Sequence, residues 1–452
     1  MTPRKTDSTG SHPDSNGSTG GSFTVRPDRR YVRTTWRSNR FVLVEVTAPA
    51  APARPEDDPN ARPPANLAFV LDRSGSMAGE KIRLAKRALE EGIARLKDTD
   101  RFAVVVYDHE IDVVADGQAA TPENRRRALA RLAEIDARGN TALAEGWLRG
   151  AEQVGLHLAE RGVNRVLLLT DGLANVGITE PAELTRHAAE LRARGVATST
   201  FGVGADFDEH LLGAMADAGG GHFYFIESAD RIVDLITGEV GETLEVVAPG
   251  TTIEVTHPED VKVESLSPLR FNASDGRTAI ALGDLVSEQH LQVVLRLNFP
   301  LGELGREVGA TVAITDDDGA FAGASGGSSA GAKPVTLLWA YADDRTNDLQ
   351  PRDPEVDRVV ARLFAARVRE EATWLNKQGH FDEARGRIEA VVRRIRAYAG
   401  RDPEMRRIVA ELEGERAMWA APMTAMELKT HHFASASMAR GRDEYGRAQR
   451  RR

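Results

Sequence analysis

A short polar segment, Asp72-Arg73-Ser74-Gly75-Ser76-Met77, carries side chains that can bind a metal ion. Asp72, Ser74 and Ser76 place a carboxylate and two hydroxyls at alternate positions, and Gly75 lets the backbone turn between them. A ligand set of hard oxygen atoms suits Mg²⁺ or Mn²⁺ rather than zinc. The segment therefore predicts a site for one of these two ions.

Two further segments supply oxygen ligands of the same kind. Thr141 offers a hydroxyl in a loop ahead of a predicted helix, and Asp171 offers a carboxylate soon after an apolar run at 166–169. Asp72 likewise follows an apolar run at 67–71. In a mostly parallel sheet with helices on both faces, ligands bind outside the carboxyl ends of the strands. We therefore expect these residues to meet at one edge of a sheet.

The polar segments together resemble a known motif, the metal-ion-dependent adhesion site of the von Willebrand factor type A family. That motif reads D-x-S-x-S, then a separate Thr, then a separate Asp. It is matched here by Asp72, Ser74, Ser76, Thr141 and Asp171. The resemblance covers about residues 66–247 and extends to the segments 201–204 and 220–224. It implies a Rossmann-like domain.

The resemblance also implies how the site would work. One divalent cation would be held by Ser74, Ser76 and Thr141, with Asp72 and Asp171 binding it directly or through water. An open coordination position would receive an Asp or Glu from a protein partner. The order of the whole chain is similar to that of bacterial cytoplasmic relatives, in which this domain is joined to a β-sandwich and a helical tail.

Two classes of function are compatible with such a site. The first is a divalent-cation-dependent protein-binding module or scaffold, and the alternative is a metal-assisted hydrolase such as a phosphatase. A phosphoester hydrolase usually clusters several carboxylates around two ions. Here only Asp72 and Asp171 are expected at the site, with no His or Lys positioned as an acid or base. The pattern favours binding over catalysis, and we expect the protein not to be an enzyme.

Two other motifs are incomplete. Residues 75–81 lie between a strand and a helix and resemble a phosphate-binding P-loop, but a Glu separates the last Gly from Lys81. Ile82 also replaces the hydroxyl residue that would bind Mg²⁺ in a P-loop. The G-x-S-x-G pattern at 323–327 lies in a Gly/Ser/Ala stretch without a following helix, which favours a flexible loop over a nucleophile elbow.

Strand and helix patterns alternate from residue 66 to about residue 247. The predicted strands are 67–71, 166–169, 196–203 and 222–226, and the predicted helices are 80–96, 122–135, 143–158, 181–194 and 208–218. A predicted hairpin at 102–107 and 111–114 carries Asp108, His109 and Glu110 at its tip. We expect His109 to be an exposed loop histidine and the two carboxylates to be solvated. The repeated βα units predict an α/β fold, a Rossmann-like, doubly wound and mostly parallel sheet.

The flanking regions predict the remaining parts of the molecule. Alternating apolar residues at 251–340, with two strands across a turn at Ser38-Asn39 within 31–47, predict an antiparallel β-sandwich into which the α/β domain (66–247) is inserted. Residues 48–64 predict a linker or long loop. Helical spacing at 353–419 predicts a C-terminal helical hairpin region. Residues 1–24 predict a disordered tail, and residues 420–452 predict an irregular basic tail.

Composition narrows the functions that remain. The chain has 452 residues, a formal net charge of −9 and no cysteine. Disulfides, cysteine-ligated zinc and thiol nucleophiles are therefore excluded. The negative charge argues against nucleic acid as the main partner. No stretch approaches the ~18 apolar residues of a membrane span, and residues 1–24 contain no apolar signal region. We therefore expect a cytoplasmic protein.

Overall fold

The computed structural model describes residues 20–51, 62–159, 162–322 and 332–450, which form sixteen β-strands and eleven α-helices. The strands are β1 (Ser22–Pro27), β2 (Tyr31–Arg33), β3 (Ser38–Thr47), β4 (Ala65–Asp72), β5 (Arg101–Tyr107), β6 (Ile111–Ala119), β7 (Val163–Thr170), β8 (Ala197–Val203), β9 (Gly220–Ile226), β10 (Val246–Thr256), β11 (Lys262–Ser265), β12 (Phe271–Ser274), β13 (Arg277–Val286), β14 (His290–Phe299), β15 (Glu307–Thr315) and β16 (Val335–Ala342). The helices are α1 (Glu80–Ala94), α2 (Pro122–Ala133), α3 (Leu143–Gly155), α4 (Pro181–Ala193), α5 (Glu209–Gly219), α6 (Ile232–Leu244), α7 (Asp344–Leu349), α8 (Pro354–Lys377), α9 (Phe381–Ala399), α10 (Pro403–Trp419) and α11 (Ala425–Ala439). Three sequence predictions lie wholly or partly outside the described residues: the tail at 1–19, the linker at 52–61 and the G-x-S-x-G pattern at 323–327.

Six strands form the sheet that carries the predicted site, in the order β6-β5-β4-β7-β8-β9. Neighbouring strands are parallel except β5 and β6, which form the predicted antiparallel hairpin. All eight residues of β4 are buried, and β7 is buried from its second residue onward. Burial on both faces explains why the centres of these two strands are continuous apolar runs.

Helices cover both faces of this sheet. Phe69 and Val70 are consecutive in β4, so their side chains point to opposite faces. A Cβ added to Gly92 of α1 would lie 3.2 Å from the ring of Phe69, and a Cβ added to Gly150 of α3 would lie 2.2 Å from Cγ2 of Val70. These two glycines therefore let α1 and α3 approach the sheet closely from opposite sides. The predicted α/β fold is confirmed.

Two more sheets share a separate hydrophobic core. One has the order β1-β3-β14-β11 and the other β12-β13-β10-β15-β16-β2. Val44 of β3 and Val293 of β14 pack in this core with Ile253 of β10 and Ile314 of β15. β3 precedes the α/β domain in the chain and β10 follows it, so the α/β domain is inserted between strands of the two sheets.

The amino-terminal strands differ from the sequence prediction in two ways. Residues 22–24, predicted to be disordered, belong to β1, which pairs along its whole length with β3. β2 and β3 were predicted to be neighbours across a turn, but they lie in different sheets. The reason is that β2 finds another partner: Tyr31 pairs in parallel with Ala340 of β16, and the backbone N–H of Tyr31 donates to the side chain of Gln350 at 2.7 Å.

The carboxyl-terminal helices pack on both of the preceding parts. α8 lies against the sandwich, where Val356 and Val360 contact a cluster that contains Leu43 of β3. α8, α9 and α10 share a core of their own, so the predicted helical region is a three-helix unit rather than a hairpin. None of the described helices is both long and apolar enough to cross a membrane.

The prediction of an irregular tail at 420–452 is wrong for most of that segment. Residues 425–439 form α11, whose amino terminus is closed by a capping box between Thr424 and Glu427. Phe433 of α11 packs edge-on against Phe223 and Phe225 of β9, so the helix covers the end of the site-bearing sheet. Further on, the backbone N–H of His290 in β14 donates to the carbonyl of Gln449, at 2.8 Å.

Candidate metal centre

The parallel pairing of β4 and β7 brings the two predicted carboxylates to the same sheet edge. Asp72 is the last residue of β4, and Asp171 directly follows β7. Leu71 pairs with Leu169, so the two strands end in register. Both carboxylate side chains are buried. The sequence prediction that these residues meet at the carboxyl end of the sheet is confirmed.

The Asp72 carboxylate is held by hydrogen bonds alone. Its Oδ1 accepts from the backbone N–H of Ser74 at 2.7 Å, and its Oδ2 accepts from the hydroxyl of Thr170 at 2.6 Å. Burial raises the pKa of Asp72 to about 6, and the neighbouring Asp171 carboxylate adds to the increase, while the bonds from Thr170 and Ser74 oppose it. Among the described residues, no positively charged side chain therefore donates a hydrogen bond to the buried Asp72 carboxyl.

The two serines connect Asp72 to Asp171. Ser76 donates its hydroxyl to Oδ1 of Asp171 at 2.6 Å, and the hydroxyls of Ser74 and Ser76 are 3.1 Å apart. Both serines lie at a single turn of 3₁₀ helix at Gly75–Met77, with Ser74 buried at its amino-terminal cap and Ser76 exposed within it. Four of the five predicted ligand residues therefore form one continuous hydrogen-bonded chain.

Thr141, the fifth residue, is brought in by the loop that precedes α3. The backbone N–H of Gly75 donates to the carbonyl of Gly139 at 3.1 Å, which ties this loop to the serine loop. The backbone N–H of Thr141 donates to the side-chain oxygen of Asn175 at 3.0 Å. A Cβ built on Gly172 would lie 3.5 Å from the Thr141 hydroxyl and 3.9 Å from the Ser76 hydroxyl. The Thr141 and Ser76 hydroxyls therefore lie beside the same backbone position, which brings Thr141 next to the chain formed by the other four residues.

Asp108, expected to be solvated, is instead buried and supports the site loops. Its Oδ2 accepts from Arg73 Nε at 3.2 Å and from Arg138 Nε at 2.8 Å. Its carbonyl accepts from the backbone N–H of Ala142 at 2.7 Å, directly after Thr141. The two arginines and Glu110, whose backbone N–H also donates to the carboxylate, hold the pKa of Asp108 below its ordinary value against the effect of burial. Asp108 thus links the serine loop to the threonine loop.

Lys81 is a second residue whose role the motif did not indicate. Its Nζ lies 2.5 Å from Oδ2 of Asp171 and 3.4 Å from the carbonyl of Ser76. The Lys81 side chain is 31% exposed, whereas that of Asp171 is fully buried. Asp171 therefore has a positive partner at the solvent side of the site, which Asp72 lacks.

The donor set fits a hard divalent cation. The site gathers three hydroxyls and two carboxylates, and among the described residues no charged side chain donates a hydrogen bond to the buried carboxylate of Asp72. Mg²⁺ and Mn²⁺ prefer such oxygen donors and commonly use one or two protein carboxylates.

Two other acidic clusters among the described residues are arginine ion-pair networks. His109 and Glu110 lie beside Asp108, whose carboxylate is taken by Arg73 and Arg138. A second cluster combines His222 with Glu239 and Glu242. There Arg165 Nη1 lies 2.6 Å from Oε1 of Glu239, and Arg442 bonds to Glu242. His109 itself is half exposed, as expected of a loop histidine.

Comparison with known proteins finds a family match for the α/β domain. The family model that describes the von Willebrand factor type A domain matches residues 66–238 of the sequence. The uncharacterized protein YfbK of Escherichia coli (strain K12) is 30% identical over 199 residues, which cover 43% of this chain and 34% of YfbK. The uncharacterized protein sll0103 of Synechocystis is 29% identical over 295 residues, or 62% of this chain and 67% of that protein. Human inter-alpha-trypsin inhibitor heavy chain H3 is 27% identical over 234 residues, which cover 50% of this chain and 26% of the heavy chain. The chain thus spans about a third of YfbK and a quarter of the heavy chain.

Two solved structures share the fold over nearly the whole chain. A von Willebrand factor type A protein from Catenulispora acidiphila superposes with a TM-score of 0.68 at 18% identity, covering 93% of this chain and 98% of that one. The ArnB paralog VWA2 from Sulfolobus acidocaldarius has a TM-score of 0.58 at 15% identity, covering 93% and 99%. The shared architecture therefore extends beyond the α/β domain to the sandwich and the helices.

Proposed function

Because residues 66–238 form a von Willebrand factor type A domain, we propose that this protein is a divalent-cation-dependent protein-binding module or scaffold. Domains of this family often mediate protein–protein interaction. In our proposal the cation is Mg²⁺ or Mn²⁺, and an Asp or Glu of the partner completes its coordination. The ligands are Asp72, Ser74, Ser76, Thr141 and Asp171. The same proposal places the protein in the cytoplasm.

The main support for the proposal is that the Asp72 carboxylate is buried without a positively charged hydrogen-bond donor among the described residues. A fully buried carboxylate is unfavourable unless a positive charge offsets it. Within the described part of the chain, Asp72 receives hydrogen bonds from Ser74 and Thr170 only, and the pKa of its carboxyl is raised to about 6. A divalent cation at this position would provide the missing charge, and the hydroxyls of Ser76 and Thr141 supply neutral oxygen ligands beside it.

The ligand set also supports the choice of partner. Three of the five ligands are neutral hydroxyls, so the protein brings at most two negative charges to a doubly charged ion. If Asp72 or Asp171 acts through water, the ion keeps positive charge toward solvent, which favours an external carboxylate. We therefore propose an acidic side chain of a protein as the bound group.

A catalytic role has less support, and we therefore propose that the protein is not an enzyme. A metal-assisted phosphatase would need further carboxylates or a free acid and base near the ion. Among the described residues around the site, Lys81 is bonded to Asp171 and Asp108 is bonded to two arginines. If the wild-type protein hydrolysed p-nitrophenyl phosphate with Mn²⁺ and the Asp72→Asn variant did not, hydrolysis would replace binding as the proposed function.

The first experiment measures metal binding through stability. Mg²⁺ or Mn²⁺ should raise the melting temperature of the wild-type protein, because a ligand that binds only the folded state stabilises it by mass action, by about 2.7 kcal/mol at a hundredfold excess over Kd. Asp72→Asn should abolish the rise. Asp116→Asn, an exposed carboxylate on β6 of the same sheet, should keep it. An equal rise in all three proteins would contradict the proposed site.

The second experiment tests the partner chemistry. A displayed peptide library is captured on the protein in the presence of Mg²⁺ or of EDTA. Each peptide has a matched copy in which Asn and Gln replace Asp and Glu. We expect enrichment of acidic peptides in Mg²⁺ only, and its loss in Thr141→Ala. Equal capture of acidic and amide peptides, or equal capture in EDTA, would show that the metal face is not the binding face.

A further inference from the structure

The two carboxylates of the site are not equivalent, because among the residues that the structure describes only Asp171 has a counter-ion. Lys81 extends from the first turn of α1 and places its ammonium 2.5 Å from Oδ2 of Asp171. The other carboxylate oxygen of Asp171 accepts from Ser76. Oδ2 is thus the oxygen of Asp171 that would be left for a metal ion, and it is the one that Lys81 holds.

The surroundings of Lys81 favour this position without trapping it there. Its ammonium also lies 3.4 Å from the carbonyl of Ser76, and a Cβ built on Gly204 would lie 3.9 Å from it. Gly204 has a positive φ of 75°, a conformation that favours glycine, so the turn leaves room beside the ammonium. About a third of the lysine side chain is exposed, so its flexible stem can swing toward solvent.

We propose that Lys81 competes with the divalent cation for Asp171 and thereby sets the metal affinity of the site. This inference rests on the proposed function, since it concerns the same ion. In the metal-free protein the lysine neutralises Asp171. In the metal-bound protein the ammonium leaves Oδ2, and the ion and Asp171 interact directly or through water.

Electrostatics gives the direction of the effect. Asp72 and Asp171 carry two negative charges when ionised, and Lys81 reduces the local sum to one. A cation that enters must replace an existing charge-assisted hydrogen bond, which is among the stronger polar interactions in proteins. Removing the ammonium therefore increases the attraction of the site for a divalent ion and removes a competitor at the same time. A supporting, structural role for Lys81 would have the opposite consequence, since its loss would then loosen the site and weaken metal binding.

The test compares Mn²⁺ and Mg²⁺ affinities by titration calorimetry for the wild type, Lys81→Met, Lys81→Gln and Lys86→Met. Lys86 lies on the same helix, but its ammonium bonds to the carbonyl of Ala133 instead of the site. We expect both Lys81 variants to bind roughly tenfold more tightly, as the loss of one partly buried charge pair would give. Lys86→Met, which removes the same charge elsewhere, should bind like the wild type.

Melting temperatures provide an independent readout. Without metal, Lys81→Met should melt below the wild type, because Asp171 loses its counter-ion, but saturating Mn²⁺ should raise its melting temperature by more than that of the wild type. Absence of Mn²⁺ binding to the wild type would overturn the proposed function. If the wild type binds Mn²⁺ and both Lys81 variants bind equally or more weakly, the competition is wrong and the proposed function stands.

Discussion

Asp72 and Asp171 show how two identical side chains, one strand apart, acquire different properties. Asp171 is neutralised by Lys81, whereas the donors to Asp72 among the described residues are the neutral groups of Ser74 and Thr170. The cost of burying charge therefore falls on Asp72, and the pKa of its carboxyl rises to about 6. In a metal-free protein this carboxyl should therefore titrate near pH 6.

A pH dependence of both stability and metal binding follows. The folded pKa of Asp72 exceeds its ordinary value of 3.8, so between about pH 4 and pH 6 the folded state binds more protons than the unfolded state. The free energy of unfolding of the metal-free protein should therefore fall as pH rises through this window, by roughly 1–3 kcal/mol. Denaturant titrations at pH 4.5, 5.5 and 7 check this. Asp72→Asn should show less of this pH dependence.

The Mn²⁺ affinity should change in the opposite direction. Protons compete with the ion for the Asp72 carboxylate, so the affinity should drop about tenfold per pH unit below pH 6. Calorimetry at the same three pH values measures it. An affinity that does not change between pH 7 and pH 5 would mean that Asp72 is not a ligand.

The sequence predicted that the five proposed ligand residues would meet, but it did not indicate which residues hold them in place. Each ligand follows a strand or precedes a helix, so the regular geometry of a parallel sheet predicts that they meet. Asp108 bonds to arginines 35 and 30 residues away, and Lys81 bonds to a carboxylate 90 residues away. No local spacing marks such pairs, because side-chain partners across loops depend on how the loops close.

At the scale of elements, α3 is the helix that sets the position of Thr141. It begins two residues after Thr141, and its Gly150 faces Val70 of β4 in the buried sheet. The closeness of this contact comes from the missing side chain, since a Cβ at Gly150 would lie 2.2 Å from Cγ2 of Val70. Val70 is β-branched and buried, so it has little freedom to move aside.

Two glycine substitutions in α3 separate packing from helix propensity. Gly150→Ala should lower the free energy of unfolding by roughly 1–3 kcal/mol, because overpacking forces the helix away from β4. Gly155→Ala, where an added Cβ meets nothing within 4 Å, should be neutral or stabilise by about 0.5–1 kcal/mol through helix propensity. Denaturant unfolding measures both. If Gly150→Ala were as stable as Gly155→Ala, the close approach of α3 to the sheet would be wrong.

Helix α11 was not predicted from the sequence, because its buried positions do not form an apolar pattern. Its buried residues include Lys429, His432 and Ser435 as well as Phe433, so apolar positions alone do not trace one face. Lys429 is buried because its ammonium bonds to Glu209 of α5 and to the carbonyl of Phe207. The capping pair Thr424 and Glu427 was the one local signal of a helix start.

At the scale of the whole molecule, charged residues join the α/β domain to its neighbours. Asp284 of β13 lies 3.1 Å from Arg165 of β7 and 2.9 Å from Arg192 of α4. Glu209 accepts from Lys377 of α8 at 2.7 Å as well as from Lys429. Burial would raise the pKa of Glu209, but these two lysines lower it to about 2. The sandwich and the helices therefore each hold the domain through a buried or half-buried ion pair.

The insertion of the α/β domain makes the sandwich depend on strands from both sides of it. β3 lies between β1 and β14 and contributes Val42, Val44 and Val46 to the sandwich core. Each of these fully buried side chains stabilises the fold by about 1.5–3 kcal/mol. Together they approach the ~5–15 kcal/mol that is the total stability of a typical domain.

A chain that begins at Asn66 should therefore fail to form the sandwich. β14 would lose β3 and become an exposed edge, and an unpaired apolar strand of this kind promotes aggregation. A chain that begins at Gly20 keeps β1, β2 and β3 and serves as the matched control. Light scattering and size-exclusion chromatography should show aggregates for the first and a species of defined size for the second. If the chain from Asn66 ran as a monomer with a single cooperative unfolding transition, the sandwich would not need its amino-terminal strands, and the pairing of β3 with β14 would have to carry far less stability than its buried valines indicate.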